Sequence, residues 1–147
     1  MTASWKSAGL SLGAALALCA SVLPASAQRI VKAGYDTYYF SGTTADPLNP
    51  ANPNDRGNTV QQADNILNKL QGMLQMSGLT FGDVVQAHVF LVTDPAKGDI
   101  DFAGLNSEWA KRFGTATQPN KPARSTVQVG LATPGPLIEI ELVAVKK

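Results

Sequence analysis

PARSTVQVGLATPGPLIEIELVAV, residues Pro122 to Val145, is the stretch that decides the fold. Two runs of strand character, Ser125–Val129 and Leu137–Val145, flank Thr133-Pro134-Gly135-Pro136, a sequence suited to a turn. Successive strand side chains point to opposite faces. Ile138, Ile140, Leu142 and Ala144 therefore share one face, and Glu139, Glu141, Val143 and Val145 share the other. The first face is wholly apolar and needs cover. The second is mixed and too apolar to be simply wet. A turn between the two runs predicts that they pair antiparallel.

Working outward, Val84–Val92 repeats the pattern, with Val85, Ala87, Val89 and Leu91 opposed to Val84, Gln86, His88, Phe90 and Val92. Tyr38-Tyr39-Phe40 opens another strand before Ser41-Gly42, and Ile30-Val31 suits a short edge piece. Helical spacing predicts a helix over Asn58–Ser77. Ala63, Ile66, Leu67, Leu70 and Leu74 form its apolar stripe, Thr59 with Gln62 fits a capping box, and Gly78 is a stop. Asp101–Phe113 predicts a second helix, with Phe102, Leu105, Trp109 and Phe113 as its stripe and Gly114 ending it. Asp99 and Asp101 at its start suit capping better than metal binding. The polar stretch Asp46–Gly57 (DPLNPANPNDRG) is a long loop, of a kind that is usually functional or mobile.

The order strand, helix, strand, helix, strand, strand gives an α+β domain, one sheet with two helices on one face. Two helices leave the second sheet face uncovered. Its apolar members, Phe90, Val92, Val143 and Val145, predict contact with another copy of the chain.

The first 27 residues stand apart. Lys6 precedes an apolar, small-residue run from Ala8 to Leu23, and Ala25-Ser26-Ala27 fits a cleavage site before Gln28. That arrangement predicts a signal peptide and a periplasmic or secreted mature domain, residues 28–147. The run is short and Gly/Ala-rich for a membrane span, which needs ~20 apolar residues. A lipoprotein signal at Cys19 is disfavoured because Leu18, just before it, is not small. Cleavage removes Cys19, the only cysteine, so no disulfide or thiol nucleophile is expected. It also leaves 11 Lys and Arg against 11 Asp and Glu. That balance, with no basic cluster, speaks against a nucleic-acid surface.

Few catalytic constellations remain. His88 is the only histidine, which excludes a His-based triad and a multi-histidine metal site. No phosphate-binding glycine loop is present. Two charged residues resist a structural reading: Arg124, opening a strand, and Glu139, on a half-buried strand between Ile138 and Ile140. If their strands are adjacent, both reach one cleft at a sheet edge; the plain alternative is a structural ion pair.

The run Pro122–Ile140 resembles the signature of the Rid family (reactive intermediate/imine deaminases, YjgF-like, also L-PSP endoribonuclease-like). Ser41-Gly42, Gly82-Asp83-Val84-Val85 and Asp101-Phe102 leading to Asn106 extend the likeness over residues 38–147. The resemblance implies a chorismate-mutase-like α+β fold and a homotrimer with clefts between subunits. It further implies cofactor-free hydrolysis of enamine and imine acids to 2-keto acids and ammonia. In that reading Arg124 grips the substrate carboxylate and Glu139 positions or activates water. Gly42 and Thr126 offer backbone contacts to substrate, while Ser41 and Asn106 support them. Three positions depart from the family pattern. A first-strand tyrosine is missing where Gln28 falls, Thr126 stands in place of a common cysteine, and Thr43 in place of a common glutamine. A non-catalytic module binding small carboxylates in the same cleft is the alternative. A ribonuclease-like activity is a further one, disfavoured by the charge balance.

The export reading makes a direct prediction. N-terminal sequencing of protein recovered from the cell envelope or medium should begin at or near Gln28; a folded exported form retaining Met1 would overturn it.

Overall fold

The computed structural model describes residues 29–147. The signal segment, Cys19 and Gln28 lie outside the described residues. Along the chain come β1 (Asp36–Thr44), α1 (Thr59–Met76), a single 3-10 turn (Phe81–Asp83), β2 (Val84–Leu91), α2 (Phe102–Trp109), β3 (Ala123–Gln128) and β4 (Ile138–Lys146). The four strands form one mixed sheet in the order β1-β4-β2-β3. The architecture is α+β with two helices, as the sequence pattern requires.

The expected β3–β4 hairpin does not form. β4 runs antiparallel to both β1 and β2, and β3 lies parallel to β2 on its outer side. Two physical reasons account for this. Parallel neighbours need a long crossover, and the segment carrying α2 supplies one between β2 and β3. The connection from β3 to β4, residues 129–137, is longer than the two to five residues of a tight hairpin. It passes over the end of β2, where Val129 N donates to Leu91 O (2.9 Å) and Val92 N to Leu137 O (2.9 Å).

The core face of β4 is as read: Ile138, Ile140, Leu142 and Ala144 are buried. On β2 one position differs. The register slips between Val84 and Gln86, so Val84 rather than Val85 joins Ala87, Val89 and Leu91 in the core. Ile30 and Val31 are exposed and form no strand, while β1 starts at Asp36 and runs through Ser41-Gly42 to Thr44.

Helix α1 packs its stripe of Ala63, Ile66, Leu67, Leu70 and Leu74 into the same core. Its capping box is Asn58 with Gln61, one residue before the expected Thr59–Gln62 pair. At the other end Gly78 takes a positive φ of 68°, with Leu79 N bonded to Leu74 O (2.8 Å) and Gly78 N to Gln75 O (2.9 Å). This closes the orphan carbonyls of the last turn. Helix α2 is capped by Asp101, whose carboxylate accepts Gly104 N (2.9 Å) and lies 2.8 Å from Lys97 Nζ. The Lys97 hydrogen bond, followed by that from Gly104, holds Asp101 below the usual carboxylate range. The Asp99 carboxylate makes a local bond to Ile100 N (2.7 Å), and its carbonyl accepts from Asp94 N (2.9 Å). The helix ends at Trp109, before the expected Phe113, yet Phe113 still stacks on Trp109 (4.3 Å) and meets Phe81 edge-on (4.9 Å). Phe102 faces outward instead of joining the core stripe.

Gln62 is the interior brace. Its fully buried amide donates to Gly57 O (3.0 Å) and Gly135 O (3.3 Å) and accepts from Leu137 N (2.7 Å). It thus ties α1 to the long loop, to the turn before β4 and to the start of β4. Gln62→Ala should cost about 2–4 kcal/mol in urea unfolding, because buried backbone groups lose their partners. A loss below about 1 kcal/mol would show that water replaces the amide without penalty.

Candidate functional site

Arg124 and Thr126 sit on β3 opposite Ala87 and Val89 of β2, whose side chains enter the core. Both therefore turn toward the helix side of the sheet. There α2 presents Phe102, Asn106 and Trp109 at i, i+4 and i+7, one helical face. Arg124 Nη2 donates to Asn106 Oδ1 at 2.8 Å. The guanidinium carbon lies 4.7 Å from the Trp109 ring centroid and 5.8 Å from that of Phe102. Arg124 Nη1 and Thr126 Oγ1 are buried and have no hydrogen-bond partner. Among the described residues no carboxylate pairs with Arg124. Burial lowers its pKa from the ordinary arginine value, though a guanidinium stays charged at any physiological pH. The result is a fixed cation with one donor to spare, suited to a carboxylate or a similar anion.

Glu139 lies elsewhere. It stands opposite Phe90 on β2 and Thr44 on β1, on the face away from the helices. The β1–β4 ladder is irregular between Phe40 and Thr43, so Ser41 and Gly42 bulge out of register. Gly42 lies against the Glu139 carboxylate, and a Cβ at position 42 would overlap it. Ser41 is exposed, and its carbonyl accepts from the Thr43 hydroxyl (3.2 Å). Glu139 is half-buried and, among the described residues, makes no ion pair. Further along the same face Gln86 Nε2 donates to His88 Nε2 (2.8 Å). His88 Nδ1 faces Glu141 Oε2 at 3.4 Å.

The two half-sites do not meet within one chain. Arg124 is level with Ala87 and Leu142, and Glu139 is three residues further along and two strands over. Sheet spacings put their Cα atoms about 14 Å apart, with the side chains on opposite faces. The expected edge cleft holding both is corrected accordingly, because β2 separates their strands. Arg124, Asn106 and Thr126 come together; so do Glu139, Gly42 and, beside them, Ser41. Trp109 and Phe102 were legible only as core residues. The signal for their second role is the polar Asn106 set inside an aromatic stripe. Among the described residues no group of three or more His, Cys, Asp and Glu could hold a metal ion.

The single mixed four-stranded sheet with two helices makes this a small α+β protein. The chain belongs to the YjgF/RutC/Rid family: the model described as Endoribonuclease L-PSP matches residues 24–146. It is 36% identical over 101 residues to a RutC family protein of Haemophilus influenzae, covering 69% of this chain and 74% of that one. Protein HMF1 of Saccharomyces cerevisiae is 31% identical over 102 residues, covering 69% and 71%. Among solved structures, a YjgF family member from Neisseria meningitidis superposes with a TM-score of 0.57 at 28% identity, covering 76% and 80% of the two chains. A structure described as a putative translation initiation inhibitor, from Vibrio vulnificus, gives 0.60 at 32% identity, covering 79% and 85%.

The cradle generates a stability test. Asn106→Ala strands a second guanidinium nitrogen in a buried setting and should cost roughly 1.5–3 kcal/mol. Arg124→Met, which removes the buried charge and keeps much of the volume, should cost less. Urea unfolding of both variants checks the order, and the reverse order would deny that Asn106 holds a buried cation.

Proposed function

We propose that the protein is a hydrolytic deaminase of enamine and imine acids, acting in the periplasm or outside the cell as a homotrimer. The observation that carries this reading is the buried Arg124 Nη1, an oriented cationic donor with nothing to donate to. A planar fork of this kind matches a substrate carboxylate. Thr126 Oγ1, on the same face, is a second unfilled position beside it. Glu139 supplies the other requirement, a carboxylate able to move protons.

In the reaction R–C(=NH)–COO⁻ adds water and yields R–C(=O)–COO⁻ and NH3. Glu139 takes a proton from water as the oxygen adds to the imine carbon. It delivers that proton to nitrogen, giving the carbinolamine, then takes the hydroxyl proton and passes it to the amine, and NH3 leaves as the C–N bond breaks and the carbonyl forms. Arg124 holds the carboxylate throughout. Gly42 leaves the space in which the Glu139 carboxylate moves.

Because the two residues face opposite sides of one sheet, the working site joins Arg124 of one copy to Glu139 of the next. An uncovered face supports that assembly: Tyr39 is 80% exposed and Val127 46% exposed there. Burying such side chains is worth ~1.5–3 kcal/mol each. The equal numbers of acidic and basic residues after Ala27 support a small-molecule substrate over RNA.

The test is complementation between inactive variants, with 2-iminobutanoate generated in situ. Arg124→Ala and Glu139→Gln should each lose turnover, the latter by ~100-fold or more while still binding 2-keto acids. Trimers reassembled from the two at equal ratio contain one intact junction in each mixed trimer and should regain about a quarter of wild-type turnover. Mixed trimers that stay inactive would refute a site shared between copies. Binding of 2-keto acids by the wild type without turnover would leave a binding module.

A further inference from the structure

Resting on the homotrimer of the proposed function, we propose that assembly is linked to proton uptake by the His88–Glu141 pair of the open face, so that the trimer tightens in mild acid and loosens in mild alkali. His88 and Glu141 are cross-strand partners in the β2–β4 ladder. His88 Nδ1 lies 3.4 Å from Glu141 Oε2, and the two side chains are 41% and 42% exposed. A neighbouring copy seated on this face would take both out of water.

Charge on the open face is one-sided. Its ionisable side chains are Glu139 and Glu141 on β4, His88 on β2 and Tyr39 on β1, a phenol that stays neutral near pH 7. On β3 the positions facing the same way, Ala123, Ser125 and Val127, carry no charge. No lysine or arginine stands at a strand position of this face. On the β3–α2 edge that would cover it, Asp101 is already paired with Lys97 (2.8 Å) and Glu108 with Lys111 (2.7 Å). Arg124 of that edge is the cation that serves Glu139 in the shared site. Glu141 is left with His88 as its source of compensating charge.

Excluding water from an uncompensated carboxylate is costly. A carboxylate beside an imidazole becomes neutral overall on taking up one proton, whichever of the two carries it. Enclosure between copies therefore favours the protonated pair over the unprotonated one. By linkage, the pair contributes most to assembly at the acid end of the range in which histidines titrate, about pH 5–8. That contribution is lost as pH rises through the range. Gln86 accommodates both states. Its amide sits 2.8 Å from His88 Nε2 and offers that nitrogen a donor or, turned over, an acceptor.

The experiment measures the concentration at which the trimer dissociates, by sedimentation velocity, for the wild type, His88→Gln and Glu141→Gln. Each is run between about pH 6 and about pH 8, with the same moderate urea throughout if the trimer persists on dilution. For the wild type the dissociation concentration should rise by roughly 10-fold or more across that interval. Glu141→Gln removes the enclosed charge and should hold the trimer at the tight, low-pH level throughout. His88→Gln stays polar but cannot take up the proton, and should hold it at the loose, high-pH level. Two flat profiles displaced in opposite directions are not what a merely structural pair gives, since both variants would then weaken the trimer and keep its pH response. That structural outcome, or a flat wild-type profile, overturns the linkage and leaves the homotrimer standing. A chain that is monomeric at every pH overturns the homotrimer, and the linkage with it.

Discussion

Everything in this molecule hangs on β4 being paired along both of its edges. Antiparallel ladders to β1 and β2 fix its register, and so fix which of its side chains enter the core. A one-residue slip would move Ile138, Ile140, Leu142 and Ala144 to the open face and drive Glu139 and Glu141 into hydrocarbon. Gln62 anchors that register from α1 by bonding Leu137 N, the last amide before the strand. The position of the glutamate is thus set by burial of its neighbours, and its own interactions contribute little.

The same sheet order decides the arginine. With β2 between their strands, and with Arg124 level with core residue Ala87 while Glu139 is level with Phe90, the two turn to opposite faces and cannot neutralise one another. The guanidinium donates one charge-assisted hydrogen bond, worth roughly 1.5–3 kcal/mol, and lies against an aromatic face worth up to about 2 kcal/mol. Removing an ion from water costs several kcal/mol even after relaxation. The guanidinium is only half-buried, so its desolvation is partial, but its Nη1 is left without an acceptor, a position an anion could fill.

Much of this was legible in the residues. The alternation in Leu137–Val145 and the stripe in α1 fixed their buried faces, and the family signature marked Arg124 and Glu139. Strand adjacency was harder to read. The turn-rich Thr133-Pro134-Gly135-Pro136 invited a hairpin, whereas the helix between β2 and β3 already required a parallel crossover, and that second signal was the stronger one. The slip at Val84 and the shift of the cap to Asn58 are one-residue effects of local hydrogen bonding that periodicity does not resolve. Phe102 was read as core because helical spacing cannot distinguish an aromatic that packs inward from one that walls an arginine.

The placement of the half-sites also constrains the proposed assembly. A two-fold interface confined to the open faces would leave both arginines outside, because Arg124 turns to the helix side. In the proposed assembly, a head-to-tail contact would match the open face of one copy to the β3–α2 edge of the next. Such contacts either propagate as filaments or close as rings. In the proposed ring of three, every cradle would meet one glutamate and no apolar face would be left at an end.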